Sequence, residues 1–304
     1  MLQSQKPRYG EKAIQGLLAA CGILSVLTTT AIVISLIGPT IGFFEIVPVD
    51  EFLFGTDWTP QFEPPSFGVL AIVAGTLNVA LWAMLFAIPI GLGAAVYLSE
   101  YASPRVRKTV KPVLEILAGI PTVAIGFFAA SFILPEIIQP LWPEGLHGGV
   151  EKPFLALAAS LGIGLMVVPI IASISEDAMS AVPRGLREGA YAMGATRMKV
   201  ATRVVFPAAL SGIVASVVLA ISRAVGETMI VLIAGGSMPN LTFWPNEAIQ
   251  AMTAYIGVTA TGDISTGTVD YKSVFAVGTV LFAMTLAMNL LSIRLVRRYR
   301  EVYE

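Results

Sequence analysis

The chain has 304 residues, of which 56% are hydrophobic and only 13% are charged, and its mean hydropathy is +0.79. Soluble domains carry about 25% charged residues, so this composition favours an integral membrane protein. The single Cys21 and the single His147 exclude an internal disulfide and a Cys or His metal cluster. No Gly-Lys dipeptide, and hence no Walker A loop, occurs, so we expect no cofactor on this chain. The formal net charge of −1 singles out no partner, and we expect no nucleic acid.

Six apolar segments predict six transmembrane helices, since each approaches or exceeds the length of about 20 residues needed to cross a bilayer. They cover residues 13–37, 67–98, 112–134, 154–174, 207–235 and 273–295. The first segment is longer than the core of a signal peptide, about 7–15 residues, so we interpret it as an uncleaved helix. The sequence therefore predicts an all-α, polytopic membrane protein.

Basic residues are concentrated in alternate connecting segments. Segments 1–12, 99–111, 175–206 and 294–304 contain 16 of the 19 Lys and Arg residues. Because Lys and Arg are retained on the cytoplasmic side of a membrane, both termini and segment 175–206 are predicted to be cytoplasmic. The alternate connections, which include the acidic loop 38–66 and the long polar loop 237–272, are then predicted to face outward.

The predicted cytoplasmic segment 175–206 is polar and contains a run of small residues. Pro183 suits the first turn of a helix. The residues behind it leave little side chain on the surface: Gly189, Ala190, Ala192, Gly194 and Ala195. Arg187 and Glu188 offer charge to a partner. Long connections tend to be functional, but composition alone leaves open a docking surface or a plain loop with a helical turn.

Arg223 and Glu227 are the two charged residues of the fifth predicted span. Arg223 is predicted near mid-membrane, where a charge costs at least about 2.5–3.5 kcal/mol. At a spacing of four, both side chains share a helix face and can pair. One interpretation is a neutralised ion pair that holds helices together. We favour an anion site, in which the forked donors of Arg223 bind an oxyanion and Glu227 tunes or gates it.

Residues 188–207 resemble the EAA loop of ABC importer permeases, whose pattern is E-A-A, three residues, G, nine residues, I, one residue and L-P. Glu188-Gly189-Ala190, Gly194 and Val204-Val205-Phe206-Pro207 keep this spacing, with Gly, Val and Phe replacing Ala, Ile and Leu. The resemblance implies that a coupling helix in this loop sits in a cleft of a cytoplasmic ATPase subunit. It implies the coupling role for Glu188, Gly189, Ala190 and Gly194.

Other segments are similar to phosphate-importer permeases. SRAVGETM at residues 222–229 resembles their RAxGET segment, and LAGIPT at 117–122 resembles LAGIPS. Gly75-Thr76-Leu77 and residues 97–101 resemble the opening of the permease core. Met229 and the tail at 294–300 favour the PstC-type subunit. The resemblance implies a type I ABC importer fold: residues 1–66 form the N-terminus, first helix and external loop, and residues 67–304 the permease core.

The resemblance also implies a function, with Arg223 and Glu227 on the substrate path. The chain would be one half of a heterodimeric path for inorganic phosphate in the bacterial inner membrane, and not itself an enzyme. Its partners would be a PstA-type permease, cytoplasmic ATPase subunits and a periplasmic or extracellular phosphate-binding protein, besides membrane lipid. A permease for another oxyanion, such as sulfate or molybdate, is the alternative.

Two functions of other classes fit the sequence less well than transport. An intramembrane enzyme needs a nucleophile with its base, or metal ligands, within the spans, and the sequence supplies neither. A passive anion channel would leave the EAA-like loop without a purpose. Glu115 is predicted either to pair with a basic residue such as Lys111 or to be an interfacial residue at a helix end.

Overall fold

The structure is a computed structural model that describes residues 9–142, 153–262 and 264–298, and these are mostly helical. The helices are α1 (Tyr9–Phe44), α2 (Val49–Phe54), α3 (Leu70–Val96), α4 (Pro104–Leu117), α5 (Thr122–Phe128), α6 (Gln139–Leu141), α7 (Ala156–Ser180), α8 (Arg184–Ala192), α9 (Arg197–Val200), α10 (Phe206–Ala208), α11 (Leu210–Val225), α12 (Met252–Thr261) and α13 (Val269–Arg298). Four π-helical segments extend or join them: Tyr97–Tyr101, Ala129–Ile138, Ala201–Val205 and Val231–Gly235. The exception to the predicted all-α fold is a hairpin of β1 (Trp58–Thr59) and β2 (Ser66–Phe67), with Trp58 opposite Phe67.

Within the described residues, five helical stretches are long and apolar enough to cross a membrane. They are Gly10–Phe44, Leu70–Tyr101, Thr122–Leu141, Ala156–Ser180 and Val269–Arg294. A sixth is obtained when Arg197–Ala208 and Leu210–Val225, which meet at an angle of 72°, are taken as one bent span. The predicted polytopic fold with six membrane helices is confirmed at this level.

The third span begins later than predicted. Residues 112–117 belong to the separate helix α4, whose N-terminus is capped by the Ser103 hydroxyl, which accepts a hydrogen bond from the Val106 amide. The chain leaves the helix after Leu117. Pro121 disfavours helical geometry at the preceding Ile120, and α5 starts at Thr122. The prediction of a span over 112–134 was therefore wrong at its start, and Glu115 lies outside the span.

The fifth span is not the continuous helix predicted over 207–235. Helix α11 ends at Val225, Gly226 caps it, and helical structure resumes only at Met229. At the other end, the 72° bend lies between α10 and α11. Since α11 has 16 residues, it is about 24 Å long. Arg223 lies about 20 Å along it from Leu210, so it is beyond the midpoint of the helix.

The bundle is built around α3 and α7, which pack along their length, with α11 against both. Close approach at one point requires a glycine. A Cβ added to Gly75 in α3 would lie 2.3 Å from the carbonyl oxygen of Gln250. Helix α1 packs against α13, where the Thr40 and Thr279 hydroxyls lie 3.0 Å apart, and its apolar residues up to Ile32 are exposed. This exposure suits a helix that faces lipid.

The two ends of the bundle differ in charge. The acidic end contains α2 and the hairpin, with exposed Glu45, Asp50, Glu51, Asp57 and Glu63. An aromatic cluster holds it to the bundle, with Trp58 and Tyr255 edge to face at 4.8 Å between ring centroids. The basic end contains α4 and the turn-and-helix region 183–205. The predicted loop 38–66 is shorter than expected, because α1 extends to Phe44.

Candidate substrate path and coupling surface

Arg223 occupies the last turn of α11, and its side chain is exposed on this chain. Within the part of the chain that the structure describes, it makes no salt bridge. Its neighbour Ser222 lies 3.1 Å from Asn289 of α13 and holds this turn against the bundle. The guanidinium therefore lies on a face of the bundle that this chain leaves open, with its donors available.

Glu227 is almost fully buried and does not pair with Arg223. Its Oε1 accepts hydrogen bonds from the backbone amides of Met229 at 3.1 Å and Ile230 at 3.3 Å. A carboxylate in this position caps the first turn of the next helical stretch. The helix ends between Arg223 and Glu227, so the expected i, i+4 geometry is lost, and the ion pair that was one of the two interpretations does not form.

The break at 226–228 is held by a segment that the sequence did not single out. The Thr253 hydroxyl donates to the Glu227 carbonyl oxygen at 2.7 Å, and the Met252 amide donates to the Thr76 hydroxyl at 2.9 Å. Residues 248–252 are buried, although we expected a polar loop over 237–272. In the sequence, the Gly75-Thr76 pair was the signal for the contact between α3 and residues 248–252. Gly75 allows the backbone of Gln250 to approach closely, and Thr76 supplies the hydroxyl that the Met252 amide binds.

The four predicted coupling residues lie in and just after α8 at the basic end. Glu188, Gly189 and Gly194 are exposed, whereas Ala190 is half-buried against an apolar cluster. Gly194 ends the helical turn with φ +80°, a left-handed conformation that glycine adopts at no steric cost. The nearby Met193 is 88% exposed. The segment therefore presents a surface of small side chains, one carboxylate and one apolar residue.

Arg187 does not offer its charge to a partner as predicted, because it points inward from α8. It forms a salt bridge with Glu100 at 3.0 Å, and the two side chains are 17% and 5% exposed. The sequence did contain a signal for this orientation. Arg187 is three residues from the half-buried Ala190 and thus lies on the same helix face.

A network of charges attaches α4 to the end of α7. Glu176, which is 1% exposed, forms salt bridges with Arg107 and with Lys111, the latter at 3.1 Å, and it accepts a hydrogen bond from Ser180 at 2.7 Å. Lys111 also pairs with the exposed Asp177. Of the two expectations for Glu115, the pair with Lys111 does not form, because Lys111 turns toward α7; Glu115 is exposed near the end of α4, as the other expectation had it.

The lysine of this network remains charged at neutral pH. Burial alone lowers the pKa of Lys111, but hydrogen bonds and attraction from Asp177 and Glu176 outweigh burial and raise that pKa above its ordinary value of 10.5. A raised pKa means that the stabilisation is fully present below 10.5 and is lost only as the pH rises through the folded-state pKa.

We expect Glu176→Gln to destabilise the protein by about 1–3 kcal/mol. This is less than for a fully buried pair, because Arg107 and Lys111 both reach water and can be solvated again. The measurement is the midpoint of thermal unfolding of the purified protein in detergent. Asp177→Asn is the matched control: it also removes a carboxylate next to Lys111, but at an exposed site, and it should change the midpoint little. Equal effects of the two substitutions would contradict the assignment.

The described residues contain no group of three His, Cys, Asp or Glu side chains placed to hold a metal ion. Two other features stand out among the described residues: an open guanidinium beside a fixed helix break, and the exposed segment from α8 to Gly194. They lie in the same stretch of chain, separated by the bend between α10 and α11.

The sequence is similar to those of known transport permeases. Residues 87–301 match the family described as binding-protein-dependent transport system inner membrane component. The probable ABC transporter permease protein YqgH of Bacillus subtilis is 32% identical over 288 residues, covering 94% of this chain and 90% of that protein. The phosphate transport system permease protein PstC of Haemophilus influenzae is 31% identical over 322 residues, covering 99% of each chain. PstC of Mesorhizobium japonicum is 34% identical over 250 residues, covering 77% and 74%.

Solved structures show the same fold. A chain of a bacterial alginate ABC transporter superposes with a TM-score of 0.66 at 18% identity, covering 96% of this chain and 98% of that one. A chain of the inward-facing MetNI methionine ABC transporter gives 0.57 at 22% identity, covering 75% and 94%. At these identities the likeness concerns the fold alone.

The helices, the break in the fifth span and the exposed α8 define a membrane permease with the type I fold of ABC importers. The chain belongs to the family of binding-protein-dependent transport system inner membrane components, and its relatives over nearly the whole length include chains of the PstC type.

Proposed function

We propose that this chain is a permease subunit of an ATP-driven importer for inorganic phosphate. The observation that carries the proposal is the exposed guanidinium of Arg223 next to the fixed break at 226–228, in a chain whose relatives include several named phosphate permeases. A forked, permanently charged donor suits a phosphate oxyanion. Because the side chain is open and not enclosed in a pocket, it suits brief contact followed by release.

The open face around Arg223 is where a second permease subunit of the PstA type would seat. The substrate path then runs between the two chains, and Arg223 reaches it from this side. Glu227 contributes in a different way from the one its spacing suggested. By capping the next helical turn, Glu227 fixes the break after α11. The position of that break determines the position of Arg223.

The basic end would face the cytoplasm of the bacterium, together with both termini, because Lys and Arg are retained on that side. Separate ATPase subunits would dock there, one on the surface formed by Glu188, Gly189 and Gly194. A periplasmic or extracellular phosphate-binding protein would deliver phosphate at the acidic end. In this division residues 1–66 add one helix and an outer loop to a permease core over 67–304.

The test is uptake of labelled phosphate by cells that lack this chain and by the same cells with the chain restored. We expect uptake to return with the chain and to persist in the presence of excess sulfate or molybdate. No uptake of labelled phosphate, together with uptake of labelled sulfate or molybdate, would favour the alternative of a permease for another oxyanion. Restored uptake without any need for an ATPase partner would favour a passive channel.

A further inference from the structure

Arg187 is held by three residues in two separate segments of the chain. Its Nε and Nη2 donate to Glu100 Oε1 at 3.2 and 3.0 Å. Its Nη1 donates to the Val182 carbonyl oxygen at 2.6 Å, and its Nη2 also donates to the Met179 carbonyl oxygen at 2.7 Å. Every nitrogen of the guanidinium is thus used, and both charged partners are largely buried. We call this arrangement the Arg187–Glu100 clasp.

The partners of Arg187 are the ends of two membrane spans. Glu100 lies in the π-helical segment Tyr97–Tyr101, which completes the second span. Met179 is in the last turn of α7, and Val182 follows that helix. Carbonyl groups at a helix C-terminus lack partners within the helix and carry partial negative charge, so a cation is favourable there. One side chain of α8 therefore grips the second and fourth spans together.

The clasp lies directly behind the proposed docking surface, since Arg187 is the residue before Glu188. An apolar cluster that includes Val182, Val200 and Val205 also joins this region to the spans. Apolar contact is non-directional and allows sliding. Hydrogen bonds to a guanidinium fork fix direction as well as distance, and a lysine at this position could not reach all three partners.

We propose that Arg187 is a positioning residue for coupling: the Arg187–Glu100 clasp transmits a displacement of α8 to the second and fourth spans. The inference rests on the proposed function, in which an ATPase moves α8. It adds an element that docking alone does not supply. The ATPase touches the outer face of α8, and the clasp on the inner face carries the motion into the bundle.

The test uses the complete transport complex reconstituted in proteoliposomes, with phosphate uptake and ATP hydrolysis measured on the same sample. Arg187→Met keeps an unbranched apolar stem and removes the guanidinium. We expect the ATPase to co-purify and to hydrolyse ATP, while phosphate taken up per ATP falls by about fivefold or more, the lower end of typical coupling between sites. Arg187→Lys, which keeps the charge without the fork, should also lower the ratio.

Arg105→Met is the matched control. Arg105 is an exposed arginine of α4, at the same end of the bundle, and its side chain has no partner within the described ranges. Its substitution should leave the ratio of uptake to hydrolysis unchanged. Glu100→Gln tests the clasp from the other side, and we expect it to lower the ratio. If the two residues act together, the double variant Glu100→Gln with Arg187→Met should be no worse than the worse single variant.

Several outcomes would overturn the inference. An unchanged ratio in Arg187→Met would do so, as would loss of ATPase co-purification, since Arg187 would then serve docking alone. If Arg187→Met does not accumulate, Glu100→Gln is the variant to measure. An unchanged ratio of uptake to ATP hydrolysis in Glu100→Gln would also overturn the inference. If the unmodified complex imports no phosphate, the proposed function fails and the inference falls with it. If the unmodified complex imports phosphate and the variants leave the ratio of uptake to ATP hydrolysis unchanged, the inference about the clasp fails and the proposed function stands.

Discussion

Arg223→Gln is expected to lower phosphate uptake by about 10- to 100-fold at limiting phosphate while the transport complex still assembles. Hydrogen bonds that involve a charged group contribute about 1.5–3 kcal/mol, and 1.4 kcal/mol corresponds to a factor of ten. Glutamine keeps a polar side chain, but it is shorter and lacks the charge and the fork. Folding should be spared, because Arg223 is exposed and forms no salt bridge with the described residues. The measurement is initial uptake of labelled phosphate, together with the amount of ATPase that co-purifies.

Two further variants make this prediction specific to the guanidinium. Arg223→Lys keeps the charge at the same place and should retain part of the uptake, because an ammonium group binds phosphate as a point charge. Arg105→Gln makes the same chemical change at an exposed arginine of the basic end and should leave uptake normal. Uptake by Arg223→Gln at the level of the unmodified chain would end the proposal that phosphate meets this side chain.

Composition and charge pattern were sufficient to predict the membrane fold, but they misplaced several span boundaries, most clearly those of the third and fifth spans. In α4, apolar residues on one face of an amphipathic helix run directly into the apolar third span, so the two merge in a search for apolar runs. The break between them was marked only by Pro121. In the fifth span the helix ends just before Gly226. A helix that continued past this residue would have let Arg223 and Glu227 pair, and they do not.

Contacts between distant parts of the chain were the other features that the sequence could not supply. Glu176 follows the apolar run of the fourth span and was assigned to the loop, yet α7 continues to Ser180. In this extension α4 brings Arg107 and Lys111 to the Glu176 carboxylate, and that pairing depends on how the helices pack. The same holds for Glu100 and Arg187, whose partnership cannot be inferred from spacing along the chain.

Glu188→Lys is expected to detach the ATPase from the permease, lowering the amount that co-purifies by about tenfold or more. The proposed docking surface contains this carboxylate among small side chains, so the substitution reverses the sign of its principal charge. Like charges placed together at an interface cost several kcal/mol, and 1.4 kcal/mol is a factor of ten. Glu115→Lys is the control, because it makes the same change at an exposed glutamate of α4, outside the docking surface. It should leave co-purification unchanged.

Substitutions at Gly194 test the proposed docking surface by changing its shape instead of its charge. Gly194→Trp combines a large side chain with a backbone at φ +80° and should also release the ATPase. Gly194→Asn separates the two effects, because asparagine adopts the left-handed conformation more readily than other non-glycine residues and adds only a short side chain. No atom lies within 4 Å of a Cβ added at Gly194, so neither side chain clashes with the chain where it begins. We therefore expect Asn to retain most of the bound ATPase and Trp to lose it. Retention by both Gly194→Trp and Glu188→Lys would show that the ATPase docks elsewhere, because a protein seated on this segment must meet the indole and the reversed charge.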